Sequence, residues 1–409
     1  MKKIKKAIKA LVFDFYCFRL KLSRKIGLHR IDSQAVLILP PADAGSLGDQ
    51  AMMEATISHL TVEGVEEITS IAYKSAEDCS SFYGGIKSVV CTERYEFAKL
   101  ASKYTDFFCL GADVMDGHYS EGGSLLRLQL TSIASKVGLN ASILGFSFNE
   151  NPRASVVKAL SSLSHEIGLY ARDPISRDRL ACVLNRPVNL VADLAFLLKP
   201  DNSSERMSSV IEWIINEKNK DRSVIGINAN HVLLNDAKGK DIHDLCKIYI
   251  DVVTKFSEDN DYSFVLIPHD FRSKNGVGDI QFAELILDGL PQHIKTHSIA
   301  IPVPYTASEI KFLCGNLDLV LTGRMHLAIA ALGQCTPTAC ITYQGKFEGL
   351  FKHFEIDDMA ITPEEALQPS KFLQFLNSAM SKRSEVRNQI SKKLPEIHKK
   401  SMLNFSNHS

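Results

Sequence analysis

The sequence predicts an α/β protein built from two doubly wound parallel-sheet domains facing a cleft, with an N-terminal amphipathic helix and a C-terminal helical tail. Three observations carry this expectation. Short apolar, β-branched runs alternate with helical stretches from residue 35 onward. The alternation is interrupted once, at residues 199–204, by Lys-Pro-Asp-Asn-Ser-Ser turn chemistry, and then restarts. The chain has 409 residues, 45% of them apolar, which is enough for two cores and excludes a disordered tail, a collagen-like repeat or a small disulfide module.

Taken in order, residues 1–31 read as a basic amphipathic helix. Ile4, Ile8, Leu11, Phe15, Phe18 and Leu22 recur at intervals of three and four, which places them on one stripe. Lys2, Lys5, Lys6, Lys9 and Arg19 fall mostly off it. Residues 1–30 hold ten basic groups and one acid, Asp14, so the chain's zero net charge hides a strongly basic leader on a mildly acidic body. Such a helix fits an anionic membrane surface; packing against the protein body or a partner fits equally well. Asp14 interrupts the apolar stretch and no cleavage site follows, so a signal peptide is not expected.

The first domain, residues 32–198, is expected to hold strands at 35–39, 68–73, 88–91, 106–111, 141–146, 167–171 and 188–191. The second, residues 207–362, is expected to hold strands at 224–228, 264–268, 297–301, 317–321 and 338–343. Residues 363–409 form the polar helical tail, with helix at about 369–401. Nine scattered cysteines without a Cys-x-x-Cys pair point to reduced thiols and to no metal cluster. No apolar run is long enough to span a bilayer, so a cytoplasmic protein is expected.

Ligands of doubly wound sheets bind beyond the carboxyl ends of the strands, so those ends hold the candidate residues. After the first strand, Gly45-Ser46-Leu47-Gly48-Asp49-Gln50 opens a helix, which suits either a ligand at a helix N-terminus or a plain tight turn. Asp113, followed by Asp116 and His118, is either a general base or a cap. Arg172 is an anion ligand or the partner of a nearby acid, while Asp173 before Pro174 reads as a structural N-cap. In the second domain Gly323-Arg324-Met325-His326 combines a fixed cation and a titratable imidazole at a helix start. Asn228, His269, Tyr343 and Lys346 also follow strands and could line the cleft.

Together, Gly45 to Gln50, Gly111-Ala112-Asp113, Ala171-Arg172-Asp173 with Ser176, Asp193-Leu194-Ala195-Phe196, Ile267-Pro268-His269-Asp270, and Gly323-Arg324-Met325-His326 with Tyr343 and Lys346 resemble the polysaccharide pyruvyl transferase family. The resemblance runs over about residues 35–355 and implies a GT-B-like fold of two Rossmann-like domains, the first facing the acceptor and the second the donor. It implies a transferase that moves a pyruvyl group from phosphoenolpyruvate, a co-substrate with no further cofactor, to two hydroxyls of a sugar. The sugar belongs to a bacterial surface polysaccharide such as an exopolysaccharide, or to its lipid-linked precursor, and the product is a pyruvate ketal.

On that resemblance Arg172 and Arg324 bind the donor, His326 is the general acid and Asp113 the base. Ser46, Gly48, Asp49, His269, Asn228, Tyr343 and Lys346 line the substrates. A lipid-linked acceptor would place the enzyme peripherally at the inner face of the plasma membrane, through residues 1–30. No nucleic-acid partner is expected. The sequence departs from the family at Ser46 and Gln50, where Asn and Glu are usual, and at Leu110 and Ala112, where glycines are usual. A nucleotide-sugar glycosyltransferase of GT-B architecture and a catalytically silent assembly scaffold remain the alternatives.

Overall fold

In the computed structural model the described residues are 2–26, 34–42, 44–230, 241–273, 277–342 and 346–406, the side chains of residues 2–7 and 346 excepted. The chain folds into two compact units, each built on a parallel sheet with helices between successive strands.

The first unit comprises residues 1–44, 52–194 and 400–409. Its strands are β1 (Ala35–Leu39), β2 (Glu67–Ala72), β3 (Lys87–Val90), β4 (Asp106–Ala112), β5 (Asn140–Phe146), β6 (Gly168–Ala171) and β7 (Asn189–Leu190). They pair in the order β3-β2-β1-β4-β5-β6-β7, all parallel. The order reverses between β1 and β4, which is where a doubly wound sheet opens a crevice. Every residue of β1 is buried, as a continuous apolar run covered on both faces requires. The run expected at 188–191 contracts to the two residues of β7.

The second unit comprises residues 45–51 and 195–399. Its strands are β8 (Ser223–Asn228), β9 (Tyr262–Leu266), β10 (Ser298–Ala300), β11 (Leu319–Thr322), β12 (Thr338–Ile341) and β13 (Ala360–Ile361), in the order β10-β9-β8-β11-β12-β13 and again parallel. The order reverses between β8 and β11. The second of these in chain order, β9, stops short of the expected end. Ile267 N–H still bonds the Ile227 carbonyl, but Pro268 has no N–H to continue the ladder. β13 is an edge strand of two residues, too short to show a pattern in sequence.

Two segments, the N-terminal helix and the helical tail, pack in ways the sequence leaves open. The first helix, α1 (Lys2–Lys25), packs on the first unit through Phe13 and Cys17, both 1% exposed. The Arg94 guanidinium lies 4.1 Å from the centre of the Phe13 ring, with Tyr95 edge-on to it at 4.9 Å. Arg24 donates to the Ser102 and Tyr104 carbonyls, and Lys136 pairs with Asp14 at 2.6 Å. The stripe of Leu11, Phe15 and Phe18 faces outward.

The tail is two helices, Pro369–Ser381 and Arg383–Met402, rather than one. The end of the second belongs to the first unit. There Ser401 Oγ donates to the Asp193 carbonyl at 2.8 Å, Asn404 Nδ2 to the Ala192 carbonyl at 3.0 Å, and Phe405 stacks on His59. All nine cysteines are free. Among the described residues no helix is long and apolar enough to cross a membrane.

Candidate functional site

The second unit gathers a dense polar cluster at the carboxyl ends of β8, β9 and β11. Asp279, at the start of the helix Asp279–Gly289, is its hub and is 1% exposed. Its carboxylate accepts from Arg324 Nε at 3.1 Å and Nη2 at 2.6 Å, from Asn228 Nδ2 at 3.0 Å and from the His269 N–H at 3.0 Å. A bidentate fork of this kind fixes a guanidinium in direction as well as in place.

Arg324 is held from its backbone too. It is the residue before the helix Met325–Leu332, and its N–H donates to Thr322 Oγ1 at 2.8 Å, whose hydroxyl in turn donates to Asn228 Oδ1 at 3.1 Å. The third guanidinium nitrogen of Arg324 lies 3.4 Å from Asp270. Asp270 also takes a bidentate pair from Arg272, at 2.8 Å to each oxygen. Burial alone would raise the Asp270 carboxyl; the hydrogen bond from Arg272 and the two arginine charges overcome it and hold the group below its ordinary value. The Arg324 side chain is 15% exposed and that of Arg272 is 46% exposed, so both retain surface open to a solute.

The start of helix α2 (Leu47–Val62) is part of this cluster. Residues 45–51 join the second unit because Phe271 N–H donates to the Gly45 carbonyl and Leu47 N–H to the His269 carbonyl, a short antiparallel bridge centred on Ser46 and Asp270. Ser46 Oγ accepts from Asp49 N–H at 3.4 Å, so the serine serves the helix N-terminus. Gln50 Oε1 accepts from Ala307 N–H, the first free donor of the helix Ala307–Gly315, at 2.8 Å. Asp49 lies 4.0 Å from Arg272. A Cβ on Gly48 would stand 2.2 Å from His326 Nδ1, so the imidazole occupies the space that glycine leaves.

His269 is buried beside these groups. Burial pushes its pKa down, and the neighbouring His326 and Arg324 push further than Asp270 pulls back, leaving it at about 3. It is therefore neutral at neutral pH. Tyr343 and the Lys346 side chain lie outside the described residues.

The first unit holds the other sequence candidates. The alternative left open for Arg172, an ion pair, is the arrangement observed: its side chain is 1% exposed, Nη1 meets Asp193 at 2.8 Å and Nε meets Ser147 Oγ at 2.7 Å. Burial works against its charge, but Asp193, Asp113 and Asp173 more than offset it and raise the pKa. Asp173 caps the helix Pro174–Val183 through Ser176 N–H at 2.7 Å. Asp113 is partly exposed and accepts from the Tyr119 hydroxyl at 3.2 Å. Asp116 is buried and ties the loop by accepting from the His118 and Asn149 N–H groups.

At the β4 end, Ala112 adopts φ +43, a left-handed conformation that favours glycine. Among the described residues no cluster suited to a metal ion occurs.

Sequence reasoning missed Asp279 and Arg272. Asp279 had one signal, an acid opening an amphipathic helix, and that is shared by most helices.

The family model for polysaccharide pyruvyl transferases matches residues 47–345. No curated protein sequence matches the chain. Among solved structures it is similar to a glycosyltransferase from Rickettsia africae, at 12% identity and TM-score 0.55, covering 92% of this chain and 98% of that one. It is also similar to a UDP-GlcNAc 2-epimerase from Neisseria meningitidis solved with UDP-GlcNAc, at 12% identity and TM-score 0.54, covering 90% and 100%. At such identities the likeness is one of fold, two doubly wound domains in the GT-B manner.

Proposed function

This chain belongs to the polysaccharide pyruvyl transferase family, and we propose that it moves a pyruvyl group from phosphoenolpyruvate to two hydroxyls of a sugar in a surface polysaccharide or its lipid-linked precursor. The observation that carries the reading is the pairing of Arg324 and Arg272 with His326 around one set of strand ends. A small anion bearing a carboxylate and a phosphate needs forked, fixed cations, and these two arginines are held in place by Asp279 and Asp270 while keeping exposed surface.

Ketal formation proceeds by proton delivery to the methylene carbon, attack of one hydroxyl on the central carbon, and replacement of phosphate by the second hydroxyl. Both hydroxyl protons are lost, the methylene becomes a methyl group, and inorganic phosphate leaves. His326 is the proposed acid for the first step, because His269 beside it stays neutral and Asp279 is committed to Arg324. Asp113 is proposed as base toward a hydroxyl. Arg172, fully engaged with Asp193 and Ser147, is a positioning residue in this reading, and the donor's charge is met by Arg324 and Arg272. A lipid-linked acceptor would bring the enzyme to a membrane surface.

Thermal stabilisation by phosphoenolpyruvate, compared with UDP- and GDP-sugars, tests the donor. Phosphoenolpyruvate should raise the midpoint of the native protein, and Arg324→Lys should weaken that effect about tenfold in half-saturating concentration. Stabilisation by a nucleotide sugar and none by phosphoenolpyruvate would overturn the proposal.

A further inference from the structure

Helix α1 carries two apolar faces and the fold uses one of them. Phe13 and Cys17 are 1% exposed within the core of the first unit. Leu11, Phe15 and Phe18 are 68%, 63% and 57% exposed, and Leu22 continues the line at 43%. At about 100° per residue these outer positions centre on the side of the helix away from Phe13 and Cys17. A helix already anchored through one face has no folding reason to present two phenylalanines and two leucines to water on the other.

The charges beside that face are of one sign. Arg19 and Lys25 are exposed, whereas the helix's single acid, Asp14, is paired with Lys136. Over residues 1–30 the sequence holds ten basic groups and one acid. An apolar stripe bordered by cations complements the acyl and phosphate layers of an anionic bilayer. Pairing of the same face between two copies would set one basic leader against another.

We propose that the outer face of α1 seats the protein on an anionic membrane surface, with Phe15 and Phe18 entering the acyl boundary and Arg19 and Lys25, on its two flanks, meeting lipid phosphates. Phe13 and Cys17 then couple the bound helix rigidly to the first unit. The surface is independent of the pyruvyl-transfer reading, since binding to lipid is measured without donor or acceptor.

The test is co-sedimentation of the full chain with phosphatidylcholine vesicles and with phosphatidylcholine–phosphatidylglycerol vesicles. The native protein should pellet with the anionic vesicles and about tenfold less with the neutral ones. The triple variant Leu11→Glu, Phe15→Glu, Phe18→Glu should lose about tenfold of the binding while keeping the native thermal midpoint, because all three side chains are exposed. A second variant, Arg19→Glu with Lys25→Glu, should lose the preference for anionic lipid and covers the case in which the first fails to fold. Equal sedimentation of native and variant proteins would overturn the proposal. So would a native protein that ignores both vesicles but forms a dimer that the triple variant dissolves.

Discussion

The His326 imidazole lies against Gly48 so closely that a methyl group on Gly48 would come within 2.2 Å of Nδ1. Two helix starts, 278 positions apart in the chain, thus share one van der Waals surface. Gly48→Ala should displace the ring without removing any functional group. The expected result is a loss of about 100-fold in kcat/KM, with the thermal midpoint lowered only modestly, read by phosphate release and by differential scanning. Full activity in the alanine variant would show that the ring's position is unimportant.

Asp279 neutralises Arg324 from a fully buried side chain. Asp279→Ala leaves a guanidinium without its bidentate partner and should cost about 3–5 kcal/mol of stability. The double variant Asp279→Ala, Arg324→Ala should be less destabilised than the sum of the singles, as a urea-denaturation double-mutant cycle would show.

His269 provides a pH signature. Its pKa is about 3 in the folded protein against an ordinary 6.5, so between these limits the unfolded chain binds the extra proton. Stability from this residue is fully present above about 6.5 and falls as the pH drops toward 3, with a limiting slope of about 1.4 kcal/mol per pH unit. His269→Gln should flatten the dependence of the urea midpoint across that window. An unchanged slope would mean that the ring is not buried as a neutral group.

At the end of β4, neighbouring substitutions should act in opposite directions. Gly111→Ala would bring a Cβ within 2.4 Å of Phe146 Cβ and should destabilise by about 1–3 kcal/mol. Ala112→Gly relieves a left-handed alanine and should be neutral or stabilising by up to about 1 kcal/mol, once the greater freedom of glycine in the unfolded chain is counted. Thermal midpoints of the two variants decide the matter.

Much of the architecture was legible because parallel strands covered on both faces must be continuous apolar runs, as β1 and β4 are. Arg324 and His326 were legible for a related reason, standing where a strand meets a helix. What could not be read was pairing at a distance. Asp279 acquires its meaning only when β9 and β11 bring it to Arg324, 45 positions later. The same holds for Arg172, whose two readings were separated only by the fold placing Asp193 beside it. In α1 the spacing was read as a stripe, but Phe13 and Cys17 share a helical spacing too, and only tertiary packing decides which face meets the body.

The division of the chain into units has a consequence for biosynthesis. The first unit includes residues 400–409, and Ser401 and Asn404 bond the backbone around Asp193. The second unit includes residues 45–51. A ribosome therefore makes residues 400–409 of the first unit after the whole of the second. A fragment cut at residues 199–204 would separate Gly48 from His326 and leave the Asp193 loop without its strap. Exchange of halves between relatives should therefore carry residues 45–51 with the second sheet and residues 400–409 with the first.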